Sequence, residues 1–506
     1  MKLNPPFFLA GSIAILCLLC STAGAQMKPA VRDSIYSDVL KETRIFMVTM
    51  PEVYKPGSTD KYDVMYALDG ERQERILPSI QSFNEWLQVA PPNIVVDLYN
   101  TDRNRDFTPT HTGDNATSGG AAKFLLFIKT ELVPYINKKY PSNNSNGLFG
   151  HSLGGLFAMY AFLQEPNLFE SYIACDPSFW WDNRYMVKQV AAKLDSTYAN
   201  SNKALFLTGR EGNDYAGMGI EAMDSVLKAK AISGLNVKTI VYQNENHGTI
   251  VLKTIYDGLR YIYTGYANRT GDVIIYPQNG IMLKDKPIII NCFSDPETIR
   301  YTTDGTGPKL NSAKMQTELT LTKPGKLKLK AFPYRVKNEK VTTGNFKLGE
   351  AWPPGALPKN VQQGGLKYAF YKGEWEKMPD FKKLKPAATG LINDHFEWNQ
   401  LPTQANFALV IDGYIEIKEE GYHMFVLDSD DGSKLYLNNK LLINHDGLTQ
   451  MQLGSGQTYI LPLKKGIYPI RLEYFLNGGR GGLSLKYVTP NTSKFIGIPD
   501  EVLYHK

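Results

Sequence analysis

Leu148-Phe149-Gly150-His151-Ser152-Leu153-Gly154-Gly155-Leu156 is the stretch that decides how the first half of this 506-residue chain folds. Apolar residues lead into Gly-x-Ser-x-Gly, and residues 155–163 after it can form a helix. A serine on a sharp strand-to-helix turn needs flanking positions without bulky side chains, which is why glycines stand on both sides of it. Such a turn exposes Ser152 Oγ and aims the amino end of the new helix at negative charge developing on a substrate. Five-residue patterns with three fixed positions recur by chance in long chains. The strand, turn and helix around Ser152 therefore carry more weight than the motif itself.

Outward from the motif, residues 63–68 (DVMYAL), 93–98 (NIVVDL), 148–150, 204–208 (ALFLT) and 237–242 (VKTIVY) read as strands. Residues 121–137 place apolar side chains at helical spacing, and residues 222–231 do so more weakly. Strands alternating with helices predict an α/β domain over residues 26–270, with a mostly parallel sheet covered on both faces.

A serine hydroxyl is a poor nucleophile until a base takes its proton. Of the seven histidines, His151 lies beside Ser152 and is too constrained to serve, His111 precedes the helical region, and His395, His423, His445 and His505 fall far downstream in the last domain. His247 follows the strand at residues 237–242 on a loop, where the order Ser, acid, His places the base. The acid is expected after the strand at residues 204–208, where Glu211 is favoured over Asp214. Leu153 N–H is the first expected oxyanion donor, and the second is expected near Leu98 and Tyr99 after the strand at residues 93–98.

The remaining chain has a different texture. Residues 271–349 hold short β-prone runs broken by Gly, Pro and Asp-Gly turns, the pattern of a small β-sandwich. Residues 350–362 contain a Pro-rich stretch that reads as a semi-rigid linker. Closely spaced strand-like segments over residues 363–506 predict a second, larger β-sandwich. The whole chain is thus expected to be an α/β-hydrolase followed by two all-β sandwich domains.

Composition excludes several classes. Lys+Arg exceed Asp+Glu by 56 to 50, and this +6 is spread without a basic block, so nucleic acid is not an expected partner. Residues 1–25 have the form of a cleavable signal peptide: a lysine at the start, an apolar run from Phe7 to Cys20, then Ala23-Gly24-Ala25. A lipid anchor at Cys17 or Cys20 is disfavoured because leucine precedes each. No later segment is apolar enough to be a transmembrane helix. With only Cys175 and Cys292 beyond the signal, the exported chain is expected to rely on its cores and not on disulfides.

Five separated pieces in order give a resemblance over residues 32–263: Tyr66-Ala67-Leu68-Asp69-Gly70, residues 100–109 (NTDRNRDFTP), the Ser152 elbow, Asp176-Pro177-Ser178-Phe179-Trp180-Trp181, and His247-Gly248. They resemble the esterase D group of α/β-hydrolases, which includes feruloyl and acetyl-xylan esterases, enterochelin-type siderophore esterases and mycolyltransferases. The likeness implies Ser152 and His247 as catalytic residues, and Arg103, Arg105, Asp106, His151, Trp180 and Trp181 as candidate pocket residues. For Arg103, Arg105 and Asp106, mutual pairing that shapes their loop outweighs substrate contact. Residues 299–308 with 328–332 resemble the carboxyl-terminal sandwich of chitobiases and hexosaminidases, and residues 425–433 with 444–447 are similar to protective-antigen-type sandwiches. In the latter, Asp430 and Asp431 could supply oxygen ligands to calcium or to a glycan, or form a tight hairpin that binds nothing.

The expectation is a secreted or periplasmic serine esterase needing no cofactor for catalysis. Its carbohydrate-type appendages tilt the substrate toward acetyl or feruloyl esters on a polysaccharide or oligosaccharide, an association that fold companions alone do not fix. A siderophore esterase is the alternative within the same chemistry, and a non-catalytic glycan-binding envelope protein is the alternative outside it.

Overall fold

The structure, a computed structural model, describes residues 30–198, 203–269, 271–334, 338–356, 358–393, 401–403, 405–451, 454–478, 481–492 and 494–506. The signal segment read at residues 1–25 lies outside the described residues. Two compact units divide the chain, Met1–Ala267 and Asn268–Lys506.

The first unit is built on eight strands: β1 (Ala30–Ser37), β2 (Glu42–Thr49), β3 (Tyr62–Ala67), β4 (Asn93–Leu98), β5 (Ser142–His151), β6 (Ser171–Cys175), β7 (Ala204–Arg210) and β8 (Asn236–Tyr242). They lie in the order β1-β2-β4-β3-β5-β6-β7-β8. β1 and β2 run antiparallel to their neighbours and the rest are parallel. This is the α/β-hydrolase sheet. Strand residues alternate between two cores, as a period of two requires. Val64, Tyr66, Ile94, Val96, Leu148 and Leu205 face one core, and Met65, Ala67, Val95, Phe149, Ile173 and Phe206 the other.

Helices cover each face. Leu153–Gln164 (LGGLFAMYAFLQ) is apolar all round because it is buried almost throughout its length. Ile250–Ile262 is amphipathic, burying Ile250, Val251, Thr254, Ile255, Gly258, Leu259 and Ile262 on the opposite face of the sheet. The helix expected over residues 121–137 is interrupted: Ala121–Phe127 and Val133–Lys139 are α-helical, with a π turn at Ile128–Leu132 between them. Pro134 accounts for the break, since it has no N–H to donate and its ring crowds the preceding turn. β1, β2 and β6 are strands that pattern alone did not pick out. β1 and β2 each carry two charged residues that interrupt the apolar pattern, among them Arg44, which is buried against Asp106, and β6 is only five residues long.

The second unit is all β, and its two sequence regions share a sheet. Asn279–Met282 runs parallel to Thr342–Leu348 on one side and to Gln457–Leu463 on the other. The resulting nine-stranded sheet spans both regions. Gly280 permits this approach, because a Cβ there would stand 2.3 Å from Ile460 O. Gln278 N donates to Thr458 Oγ1 at 2.7 Å, and Thr458 N returns a bond to Gln278 Oε1 at 3.1 Å. The Pro-rich segment is not a free spacer. Trp352 N donates to Pro462 O at 2.9 Å, Lys464 N to Trp352 O at 3.0 Å, and Gly355 N to Ile467 O at 2.9 Å, so it is tied to Gln457–Leu463 in one sheet and to Gly466–Leu476 in the other.

Candidate active site

At the carboxyl end of β5 the chain turns through Ser152, whose φ of 59° and ψ of −117° put a non-glycine residue in a strained left-handed conformation. Neighbouring backbone fixes it there. Ser152 N donates to Cys175 O at 2.9 Å, while Ser152 O accepts from Leu156 N and Ser178 N, each at 3.0 Å. The glycines are sterically required: a Cβ on Gly150 would lie 2.1 Å from Gly154 O, and one on Gly155 would lie 2.9 Å from Pro177 Cβ. Ser152 Oγ lies 3.2 Å from Ser178 Oγ.

His247 sits on the loop between β8 and the helix Ile250–Ile262. Asn246 shapes that loop by accepting from Gly248 N and Thr249 N at 2.9 Å each, a side-chain turn ahead of the helix. His247 Nδ1 lies 2.6 Å from Asp176 Oδ2, so Nδ1–H donates to the carboxylate and the neutral ring keeps its lone pair on Nε2. Asp176 is fully buried, whereas the His247 side chain is 43% exposed.

The acid at His247 is therefore Asp176, at the end of β6, and neither Glu211 nor Asp214 after β7. Glu211 Oε1 accepts from Asn244 N at 2.9 Å, and Glu211 N donates to Tyr242 O, so Glu211 supports the loop that carries His247. Asp214 pairs with Arg210, whose Nε donates to Asp176 Oδ2 at 2.6 Å. Asp214 thus stands behind the imidazole's partner, and Glu211 behind the loop that carries the imidazole. The signal for Asp176 was present in the Asp176-Pro177-Ser178 piece. The strand before it is only five residues long, too short for its pattern to mark Asp176 as a strand-end carboxylate.

The expected second oxyanion loop is also displaced. Tyr99 N is taken by Ile45 O at 3.0 Å, and Leu98 lies within β4, which β3 separates from β5. The loop beside the elbow is the one after β3. A Cβ on Gly154 would meet Leu68 Cβ and Asp69 Oδ2, each at 3.5 Å. Asp69 is buried with φ 58° and accepts from Asn100 Nδ2 at 2.8 Å and Arg103 Nε at 2.7 Å.

Of the expected pocket residues, Arg103 adds a bond from Nη2 to His151 O at 3.0 Å and so ties the Asp69 turn to the elbow. Arg105 and Asp106 belong to a brace with Glu42 and Arg44, Asp106 being buried between Arg44 at 2.6 Å and Arg105 at 2.8 Å. They hold the loop. Trp181 is buried with its indole donating to Thr110 Oγ1 at 3.0 Å, while Trp180 is 48% exposed. His151 is buried, and its Nε2–H donates to His247 O at 2.7 Å with the two rings 4.4 Å apart. Burial, then the adjacent His247, push the His151 pKa down to about 4, so it is neutral at neutral pH.

In the second unit, Asp430 Oδ1 accepts from Met451 N and Asp431 Oδ2 from Asn477 N, each at 2.7 Å. The expected hairpin is not formed, because Gly421–Ser429 and Ser433–Leu437 pair in different sheets; the two carboxylates instead tie the connection between them to neighbouring loops. Among the described residues no group of three or more His, Cys, Asp or Glu is arranged to hold a metal.

An α/β-hydrolase sheet carrying a serine elbow and a His–Asp pair at adjoining strand ends defines the class of the first unit. Residues 37–218 match the family described as "Putative esterase". Residues 277–343 match the chitobiase/β-hexosaminidase carboxyl-terminal domain, and residues 364–501 the PA14 domain. Among curated relatives, a ferri-bacillibactin esterase of Bacillus subtilis is 28% identical over 183 residues, covering 32% of this chain and 63% of the relative. A siderophore enterobactin esterase of Emericella nidulans is 43% identical over 74 residues, covering 14% and 24%. The chain thus spans less than two thirds of these relatives. Among solved structures, an IroE-like serine hydrolase from Shewanella oneidensis is 31% identical, with 46% of this chain and 79% of that one covered and a TM-score of 0.43. No helix among the described residues is long and apolar enough to cross a membrane.

Proposed function

We propose that the protein is an exported serine esterase acting on a siderophore-type ester. The chemistry rests on one observation: Ser152 is held on a strained elbow while His247, on a neighbouring loop, has its tautomer set by Asp176 at 2.6 Å. His247 Nε2 takes the Ser152 proton as Oγ attacks the ester carbonyl. Leu153 N–H and the backbone of the turn at residues 69–71 stabilise the oxyanion. The imidazolium then protonates the departing alcohol, and water, activated by the same histidine, releases the acid from the acyl-enzyme. Asp176 holds the ring throughout and stabilises its charged form.

The polysaccharide ester favoured by the appendages gives way to the siderophore ester because the relatives with matching segments are siderophore esterases. The exposed Trp180, two residues after Ser178, supports this choice as a flat face for an aromatic acyl or amide group. A second reading, an esterified glycan as substrate, is favoured by the two β regions of chitobiase and PA14 type. A purely glycan-binding role leaves the Ser152, His247 and Asp176 arrangement without a purpose.

The deciding experiment incubates purified protein with a cyclic catecholate triester, acetylated xylan and a feruloyl oligosaccharide, following products by mass spectrometry. Opening of the triester well ahead of the others is expected, with no turnover by folded Ser152→Ala. Turnover of the glycan esters alone would reverse the substrate assignment. Activity retained by Ser152→Ala would refute the serine mechanism.

A further inference from the structure

The carboxylate that faces His247 is held unevenly. Asp176 Oδ2 receives both the His247 imidazole and the Arg210 guanidinium at 2.6 Å, while Oδ1 is buried without a hydrogen-bond partner among the described residues. Arg210, the last residue of β7, is only 13% exposed and is gripped on its other side by Asp214. A chain Asp214–Arg210–Asp176–His247 therefore runs from the surface to the base. Asp176 itself has φ 40°, a conformation that needs an anchor.

Resting on the serine-esterase reading, we propose that Arg210 is a positioning residue that fixes the Asp176 carboxylate and limits how strongly it retains the imidazolium proton of His247. Both functions follow from sharing one oxygen. A lone buried carboxylate with a single partner is free to rotate Oδ1 toward the ring or to swing away. With Arg210 in place Oδ2 has one position, and the ring has one orientation. The guanidinium is also a cation bonded at 2.6 Å to the same oxygen as the imidazole, and like charges held that close disfavour protonation of the histidine. A base that must hand its proton on to the leaving alcohol gains from that moderation.

The other charged and titratable groups near His247 are accounted for. Glu211, beyond β7, bonds the Asn244 amide, and Glu245 on the same loop is paired with Lys253 of the following helix. On the elbow side His151 donates to the His247 carbonyl, and Arg103 and Asp69 behind it neutralise one another. Cys175, next to Asp176, is a buried thiol whose pKa burial raises to about 12, so it stays neutral. Arg210 is the cation that shares an atom with the base's partner.

The test is the pH profile of kcat/KM on a soluble short-chain ester for wild type, Arg210→Met, Arg210→Lys and Asp214→Asn, each checked for folding by circular dichroism. Arg210→Met is expected to move the acid limb about one unit to higher pH, because a cation beside the imidazole has gone. Arg210→Lys keeps the charge but not the fork that reaches Asp176 and Asp214 together, so the limb stays while kcat falls about tenfold. Asp214→Asn removes an anion and shifts the limb in the opposite direction, by a few tenths of a unit. A folded Arg210→Met with reduced rate and an unmoved limb overturns the proposal, as does Arg210→Lys shifting like Arg210→Met. Should Arg210→Met fail to fold, the sign of the Asp214→Asn shift decides, and an unmoved limb there refutes the electrostatic role. Ser152→Ala run alongside separates the two levels. If it retains activity the serine mechanism fails, and if it is inactive while the limb stays fixed only the role of Arg210 fails.

Discussion

Replacing Asp176 by Asn keeps the size of the side chain and removes its charge, so it isolates what the carboxylate does for His247. The imidazolium formed when Ser152 loses its proton sits against Asp176 Oδ2 at 2.6 Å. Taking about 4 Å between charge centres and an effective dielectric near 20, the attraction is roughly 4 kcal/mol. That corresponds to about three decades in rate. Solvent reaches the 43% exposed ring and screens part of this term. An amide that can present its NH₂ to Nδ1, and so favour the wrong tautomer, restores or exceeds the lost part. The expected fall in kcat is about 10³–10⁴-fold, whereas Glu211→Gln, which loses only charge on a loop-supporting bond to Asn244 N, should fall by less than about tenfold. The assay is steady-state hydrolysis of a p-nitrophenyl ester by Asp176→Asn, Glu211→Gln and Asp214→Asn, with thermal unfolding run in parallel because the first variant leaves Arg210 less well paired. A folded Asp176→Asn within tenfold of wild type, or a Glu211→Gln as damaged as Asp176→Asn, would refute the assignment of the acid.

Asp97, at the fully buried end of β4, has both carboxyl oxygens without hydrogen-bond partners among the described residues, and burial followed by the charge of Glu74 pushes its pKa well up. An acid raised in the folded state costs stability once pH exceeds its unfolded value of about 3.9, so Asp97→Asn should raise Tm by at least about 2 °C at pH 7 and lose that gain below pH 4. An equal shift at both pH values would refute this. Cutting the chain after Ala267 should leave small-ester hydrolysis intact, because the sheet, its helices and the candidate site lie in the first unit. Cutting at residue 363 strips Gln457–Leu463 from Asn279–Met282 and leaves an open strand edge, so that product should aggregate by size-exclusion chromatography. Soluble, monomeric protein from the longer cut and inactive protein from the shorter one would reverse both expectations.

Ser152 and His247 were legible in the sequence because their signals are local. Glycine spacing dictates the elbow wherever the rest of the chain goes, and a histidine on the loop after a strand late in a βα series arrives at the same sheet edge. The strands of β3, β4 and β7 were equally plain, since burial on both faces writes continuous apolar runs into the sequence. Tertiary structure alone decided which carboxylate meets the imidazole. The ends of β6 and β7 lie side by side, both carry acids, and sequence order favoured the later one. Asp176 occupies the position because its left-handed turn brings the carboxylate under the His247 loop, while Arg210 and Asn244 draw Asp214 and Glu211 aside. The same holds for the loop beside the elbow, which neighbouring strands in the sheet define, not neighbours in the chain, and for the nine-stranded sheet of the second unit. Spacing along the chain determines what a segment can form locally, but hydrogen-bond partners far apart in sequence, such as Asp176 with His247 or Gln278 with Thr458, are chosen only when the sheet assembles.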